Sequence, residues 1–285
     1  MPPSSRPAPV ERAKALLGTY VSVRAVAADA AAANAAIDAA FAEIEAVHRL
    51  MSFHEADSDL SRLNRAAPGE AIVVDARTAA VLAFALELAE QSGGVFDPTV
   101  AGRLVACGAL PRPPGATDPD PGASWRVIAL EDETVRLTRP VWLDLGGVAK
   151  GFAVDRAIEV LVAHGATEGC VNAGGDLRVF GPEPTLIELR AGDPDNVPVL
   201  ELNQGAAASS GGGRLSGAHV DGRSRTPIDP ARFACVTAPT CMAADALTKV
   251  VLGLGVGARP LLHRHRAHAY AFDDAHGWTS WEQAA

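Results

Sequence analysis

The sequence predicts one domain of mixed helix and strand. Three observations carry this reading. Short segments alternate apolar and polar residues with period two, as strands do. Between them lie longer stretches whose apolar residues recur at helical spacing. No internal repeat and no linker divides the chain into independent parts. The 285 residues are 48% hydrophobic, enough for a substantial core, yet only 5% are aromatic. With Ala and Gly abundant, the sequence predicts close-packed backbones rather than a core built on Trp and Phe.

The elements follow in order. Residues 1–10 are rich in Pro and Ser and are expected to form a disordered tail, with the folded domain running over 11–285. TYVSVRAVA (19–27) alternates as a strand. An Ala-rich helix follows over about 28–50, with Ile37, Phe41, Ile44 and His48 on one stripe and Met51 after them. SFHEADSDLSRLN (52–64) reads as polar loop. AIVVD (71–75) is a short strand, and Asp75 is placed to cap a helix that Gly93-Gly94 ends near Ser92. PRPPGATDPDPGAS (111–124) is surface loop. WRVIALE (125–131) and TVRLT (134–138) are strands around an acidic turn. VWLDLGGVAKGFAVDRA (141–157) opens as an apolar strand and closes as an amphipathic helix. Val154, Ala157, Ile158, Leu161 and Val162 share one face of that helix, which stops at Gly165. GCVNAGGDLRVFG (169–181) reads as strand, glycine pair, strand. Strands with Gly/Ser-rich loops occupy 182–215. CMAADALTKVVLGLG (241–255) is a helix with a glycine stop, and AHAYAFDDAHGW (267–278) a terminal hairpin.

A formal charge of −9 argues against general nucleic-acid binding and against a polybasic membrane surface. An anionic partner would need a local positive site. Cys107, Cys170, Cys235 and Cys241 form no C-x-x-C pair, so free buried thiols are expected rather than a disulfide scaffold. The start of the chain has no signal-like apolar stretch and no early cysteine for lipid attachment, and no apolar run approaches a transmembrane span. As given, the sequence predicts a cytoplasmic protein, or a periplasmic one if a longer precursor was trimmed.

Four segments share one grammar, a glycine pair or run with a charged residue close by. They are SGGVFDPT (92–99), LDLGGVAKG (143–151), NAGGD (172–176) and SSGGGR (209–214). Such turns let backbone approach a ligand closely and present N–H groups to it, and a helix start adds its positive end. Gly146-Gly147 followed by Lys150 therefore makes a phosphate cradle. A solvated helix lysine is the competing reading of Lys150, and plain turns that of the glycines. Asp144, at the end of an apolar run, needs hydrogen-bond partners from backbone or ligand. GLGVGA (253–258) fits a loose dinucleotide fingerprint but follows a helix rather than a strand, so it reads as a helix stop. GGVAKG lacks Walker A spacing, and no G-x-S-x-G elbow occurs. His263, His265 and His268 alternate as along a terminal strand, read as an exposed edge with metal binding as the competing reading.

LLGTYVSV, MSFHEADSDLSRLN, SGGVFDPTV, LDLGGVAKGFAVDRA, NAGGDLRVFG and ADALTKVVLGLG stand in the order found in the ApbE family of FAD:protein FMN transferases. The resemblance spans roughly residues 16–255. It implies an α+β fold, one large domain of two lobes with a central FAD cleft and a Mg2+ ion against the diphosphate. The implied reaction joins FMN from FAD to a Thr or Ser hydroxyl of an acceptor protein and releases AMP. Some members hydrolyse FAD to FMN and AMP, and a non-catalytic FAD-binding protein is a third reading.

Position by position, the resemblance puts Asp144 and Lys150 on FAD and the Gly147 carbonyl on the metal. Leu17 takes the place of the family's Met before Gly-Thr. Val95, Phe96 and Asp97 match the segment flanking the flavin nucleotide. His54 falls where many members carry Tyr or Trp, with Phe53 as a substitute ring. His219 matches the family's His, where an imidazole would take the attacking hydroxyl's proton, and Val220 beside it joins the cofactor set. The chain departs from the pattern twice. The metal helix usually reads Asp-Ala-x-Ala-Thr, whereas here Asp245 is followed by Thr248 and then Lys249 in the Thr place. Thr248 is rotated about 100° round the helix from that place. Either Thr248 coordinates the metal with Asp245, or Lys249 reaches the site. The acid that usually follows His by three residues comes one residue earlier, at Asp221.

Overall fold

The computed structural model describes residues 7–192, 197–211 and 219–281. Residues 1–6 of the expected tail lie outside that range, and Val10 already begins a strand.

β1 (Val10–Leu16) and β2 (Thr19–Val26) form a hairpin whose two turn residues, Leu17 and Gly18, both have positive φ. Mirror-image turns of this kind match the twist of the strands they join. α1 (Ala30–Met51) starts at Asp29, whose carboxylate accepts from the Ala32 N–H at 2.8 Å. Its buried face runs Ala33, Ala36, Ile37, Ala40, Phe41, Ile44, Val47 and Met51, the helical stripe read from sequence. His48, placed on that stripe, is only half-buried.

α2 (Asp59–Arg65) replaces the loop expected at 52–64. Ser58 caps it, and it buries polar residues: Asp59 bonds the Asp75 N–H and the Thr78 hydroxyl, and Asn64 bonds Leu143. A helix that buries hydrogen bonds rather than apolar groups leaves no apolar period to read.

β3 (Ala71–Val73) is followed by α3 (Ala76–Gln91), capped by Asp75 as expected, and by α4 (Ala101–Ala106). A 3-10 turn (Trp125–Val127) opens β4 (Ile128–Glu131), which with β5 (Thr134–Leu137) and β3 forms a small three-stranded sheet.

Residues 141–145 are not a strand. Asn64 donates to the Leu143 carbonyl at 3.0 Å and accepts from its N–H at 2.6 Å, and the Asp144 N–H reaches the Pro98 carbonyl at 2.8 Å. The apolar run reports burial correctly, but the buried backbone is satisfied by a side chain and a loop instead of a ladder. α5 (Ala149–Ala163) follows directly.

β6 (Glu168–Ala173), β7 (Asp176–Phe180), β8 (Thr185–Glu188), β9 (Val199–Leu202) and β10 (Gly205–Gly211) come next. β11 (Val220–Asp221) and β12 (Thr226–Pro227) form a minimal hairpin ahead of β13 (Phe233–Ala238). α6 (Cys241–Leu254) ends at Gly255, as read from sequence, and a 3-10 turn leads into α7 (Arg259–Arg264). β14 (His268–Asp273) and β15 (Gly277–Trp281) close the chain as the expected hairpin. His263 lies in α7 and His265 caps its end, so the three histidines do not share a strand.

The main sheet is antiparallel, in the order β1-β2-β6-β7-β10-β13-β14-β15. α5 and α6 pack on one face, with α1 against α5 and β2. Strand alternation sorts the side chains: Ala206, Ala208, Ala234 and Val236 face the helices, while Ala207, Phe233 and Cys235 face a second cluster with Leu177 and Val179. The β8–β9 hairpin covers that second face through Ile187 and Leu200. The molecule is a single α+β domain. The run Cys241–Arg264 is apolar and long enough by composition to cross a membrane, but most of it is buried as a core helix. Cys235 and Cys241 are buried and Cys170 half-buried, whereas Cys107 is exposed, against the expectation for it.

Small residues set the helix spacing. A Cβ on Gly151 would lie 2.3 Å from the Cys241 carbonyl oxygen, so α5 and α6 meet backbone to backbone. The Ala/Gly-rich composition corresponds to this close crossing.

Candidate functional site

A cavity of about 820 Å3 opens beside this crossing. All four glycine segments reach it. The β1–β2 turn contributes Leu17 and Gly18, and the β6–β7 turn Ala173 and Gly174. The end of β10 adds Ser209, Ser210 and Gly211; residues 212–214 of the fourth segment lie outside the described residues. Val95, Phe96 and Asp97 form the opposite wall with Val100 and Leu104. Asp144, Gly146, Gly147 and Lys150 line the start of α5, and His219, Val220 and Lys249 complete the enclosure. Gly147 is wedged between Lys249 and Phe96, each 3.4–3.5 Å from where a Cβ would stand.

The floor holds alternating charge. Lys150 Nζ donates to the Asp176 carboxylate, and Lys249 Nζ donates to the Asp245 carboxylate and, at 3.0 Å, to the Asp245 carbonyl. Gly151 N–H gives Asp245 a further bond at 3.1 Å. Asp176 and Asp245 are fully buried. Burial, and then repulsion from Asp245, push the Asp176 carboxyl up to about 6 despite Lys150 and Lys249, and its Oδ1 has no partner. Burial presses Asp245 the same way, but Lys249, Lys150 and the Gly151 N–H together hold it below its ordinary value. Burial also opposes the charged form of Lys150, and Asp245 and Asp176 outweigh it, so that ammonium is held charged. For Asp144, burial dominates and raises the carboxyl above its ordinary value, although it accepts from the Gly146 N–H at 3.0 Å.

His219 stands against this floor. Burial first, then the positive charge of Lys249 and Lys150, hold its imidazole down to about 4. Its carbonyl accepts from the Ile228 N–H at 2.7 Å, which anchors it at the mouth of the β11–β12 hairpin. α6 is itself held in place by Asp155 on α5, which accepts from the Cys241 and Met242 N–H groups at 2.8 Å each.

Several expected residues are placed differently. Asp97 lines the cavity, but its carboxylate is bound to Thr99 and, at 2.9 Å, to Arg225, so it braces the wall. His54 is exposed and does not line the cavity, and Phe53 packs into the core near Trp142. Asp221 pairs with Arg223 outside the cavity. Asp245 lies beneath the lining, behind Lys249. Thr248 is fully buried away from it: its hydroxyl donates to the Asp245 carbonyl at 2.6 Å and pairs with Ser210 at 2.8 Å. The sequence places Asp176, Ser209 and Ser210 within glycine segments but assigns none of them a role, and it does not mark Arg225. Asp176 carried a signal, an acid directly after a glycine pair, the grammar that marks Asp144.

The residues present do not fit the Mg2+ implied by the resemblance. Hard divalent cations need several open oxygen ligands. Here the Asp245 carboxylate is occupied by an ammonium, Asp176 gives one oxygen to another and leaves only its Oδ1 unpartnered, and the Thr248 hydroxyl is turned away, so one open carboxylate oxygen stands where several are needed. No cluster of three His, Cys, Asp or Glu side chains suited to a metal occurs among the described residues.

The profile of the ApbE family matches residues 17–272, and the chain belongs to that family. An FAD:protein FMN transferase of Treponema pallidum is 30% identical over 71% of this chain and 59% of its own length. One of Rhodobacter capsulatus is 35% identical over 69% of this chain and 40% of its own. The chain thus spans about half the length of these two relatives. The crystal structure of the ApbE protein from Thermotoga maritima superposes with a TM-score of 0.83 at 24% identity, covering 95% of this chain and 96% of that one, which establishes the shared fold.

Proposed function

We propose that this chain transfers FMN from FAD to a Thr or Ser hydroxyl of an acceptor protein and releases AMP. The observation that carries the reading is the convergence of the four glycine segments on one cavity floored by Lys150 and Lys249. Its volume lies in the range of small-molecule sites, roughly 300–1,000 Å3. The names of the curated relatives point the same way.

In this reading the glycine turns admit the diphosphate close to backbone, and the start of α5 faces it. Lys150 and Lys249 neutralise its oxygens. The acceptor oxygen attacks the FMN phosphorus, the bond to AMP breaks, and AMP leaves as an anion that needs no proton at neutral pH. The hydroxyl proton passes to His219, which burial first and then the lysines keep neutral and therefore able to accept it. Bound diphosphate offsets those lysines and raises the basicity of the imidazole when substrate is in place. Catalysis is then positioning and charge neutralisation, as phosphoryl transfer generally requires.

The test is mass spectrometry of a candidate acceptor with a Ser/Thr-Gly-Ala-Thr type motif after incubation with this protein and FAD. The expected result is a gain of one FMN less one water, with one AMP released. FMN and AMP formed equally with and without acceptor, and no mass gain, would instead show FAD hydrolysis. Bound FAD with no AMP would show a carrier.

A further inference from the structure

We propose that Lys249 is a built-in replacement for a divalent cation, so that the cleft binds FAD and supports its cleavage without added metal. The inference rests on reading the cleft as an FAD site. Its geometric basis is independent of chemistry at the acceptor.

Lys249 reaches the cavity from one turn beyond Asp245, the i, i+4 spacing that lets an ammonium fold back onto a carboxylate. It is mostly buried, and it is tied twice to Asp245, through the carboxylate and through the carbonyl. Both bonds fix the ammonium at the cavity surface, beside Gly147 and Phe96. A lysine that merely neutralised a buried acid need not face a cavity. This one does, alongside Lys150, which is docked on Asp176 in the same way.

The two pairs therefore present two ammonium groups over two buried carboxylates. FAD's diphosphate carries two negative charges, and two ammonium groups match them. Thr248, the alternative oxygen donor, is committed to Ser210 and the Asp245 carbonyl, so the helix offers the cleft a cation in place of a cation ligand. A divalent ion would meet the positive charge of Lys249 where its coordination sphere should be.

The experiment compares protein freed of metal by EDTA with the same protein in Mg2+. FAD affinity is read by quenching of flavin fluorescence, FAD cleavage by release of AMP, and metal binding by calorimetric titration of MgCl2 into FAD-free protein. The expected results are FAD affinities within about twofold of each other and no Mg2+ binding heat. Lys249→Thr is expected to bind FAD at least about tenfold more weakly in EDTA, to recover in Mg2+, and to show a Mg2+ heat. The wild-type arms need no variant, so a misfolded Lys249→Thr does not leave the question open. FAD binding by wild type that requires Mg2+, or a Mg2+ site in wild type, would overturn the proposal while leaving the transferase reading intact. FAD bound equally in EDTA and Mg2+ but never cleaved would uphold the counter-ion role of Lys249 and overturn the transferase reading and cleavage without metal. Absence of FAD binding in both would overturn both.

Discussion

Lys150 and Asp176 act as a unit, and removing half of it has a calculable direction. In Lys150→Ala the Asp176 carboxyl loses the ammonium bonded to it, keeping only the more distant Lys249, while remaining fully buried. Its pKa, already pushed up to about 6, rises further. A group whose folded pKa exceeds its unfolded value destabilises the fold as pH rises through the folded pKa. Urea unfolding of Lys150→Ala should therefore show stability falling as pH is raised from about 4, where the unfolded carboxyl ionises, up to the folded value above 6, and no further loss beyond it. Adding Asp176→Asn should restore stability but leave FMN transfer lowered by a hundredfold or more, about 3 kcal/mol of lost charge stabilisation.

His219 runs the opposite way: its folded value, about 4, lies below its ordinary 6.5. The unfolded chain binds its proton first, so wild type loses stability as pH falls from 6.5 towards 4, and loses no more below that. The difference in urea midpoint between wild type and His219→Gln should shift against wild type across that window. Transfer by His219→Gln should fall at neutral pH.

Lys150, Asp144 and His219 were legible because each sits at a fixed offset from a glycine turn or a family position. His54 was not, because its place depends on Phe53 packing near Trp142, a contact between distant segments. The choice between Thr248 and Lys249 turned on rotation about a helix whose facing neighbours are invisible in sequence.

At the scale of elements, the crossing of α5 over α6 is the joint that holds the charged floor. Gly151 both permits the approach and donates its N–H to Asp245. In Gly151→Ala the new Cβ would meet the Cys241 carbonyl oxygen at 2.3 Å and carbon at 2.6 Å, both backbone atoms that cannot rotate away. The helices must part. Thermal and urea unfolding should show a loss of about 1–3 kcal/mol, and FAD affinity should fall with it because Lys150 and Lys249 move apart. A variant as stable as wild type would show that the crossing yields easily.

α1, α3, α5 and α6 were readable because their apolar period is long and regular. α2 was not, since it buries Asp59, Ser61 and Asn64. The segment 141–145 looked like a strand because apolar runs report burial; only the Asn64 contact reveals that a side chain satisfies its backbone.

For the whole molecule, strands could be read singly, but their order could not. β2 pairs with β6 across more than 140 residues, and β10 lies between β7 and β13. Period-two patterning fixes which face a residue takes and says nothing about the neighbour. That order nonetheless builds the site, because it brings the β1–β2 turn, the β6–β7 turn and the end of β10 to one rim, opposite the start of α5. A crystal structure with FAD bound tests this assembly most directly. Diphosphate oxygens are expected within about 3 Å of both Lys150 Nζ and Lys249 Nζ, against the backbone of Gly146 and Gly147. A flavin dinucleotide seated on another surface, or a diphosphate touching neither lysine, would contradict it.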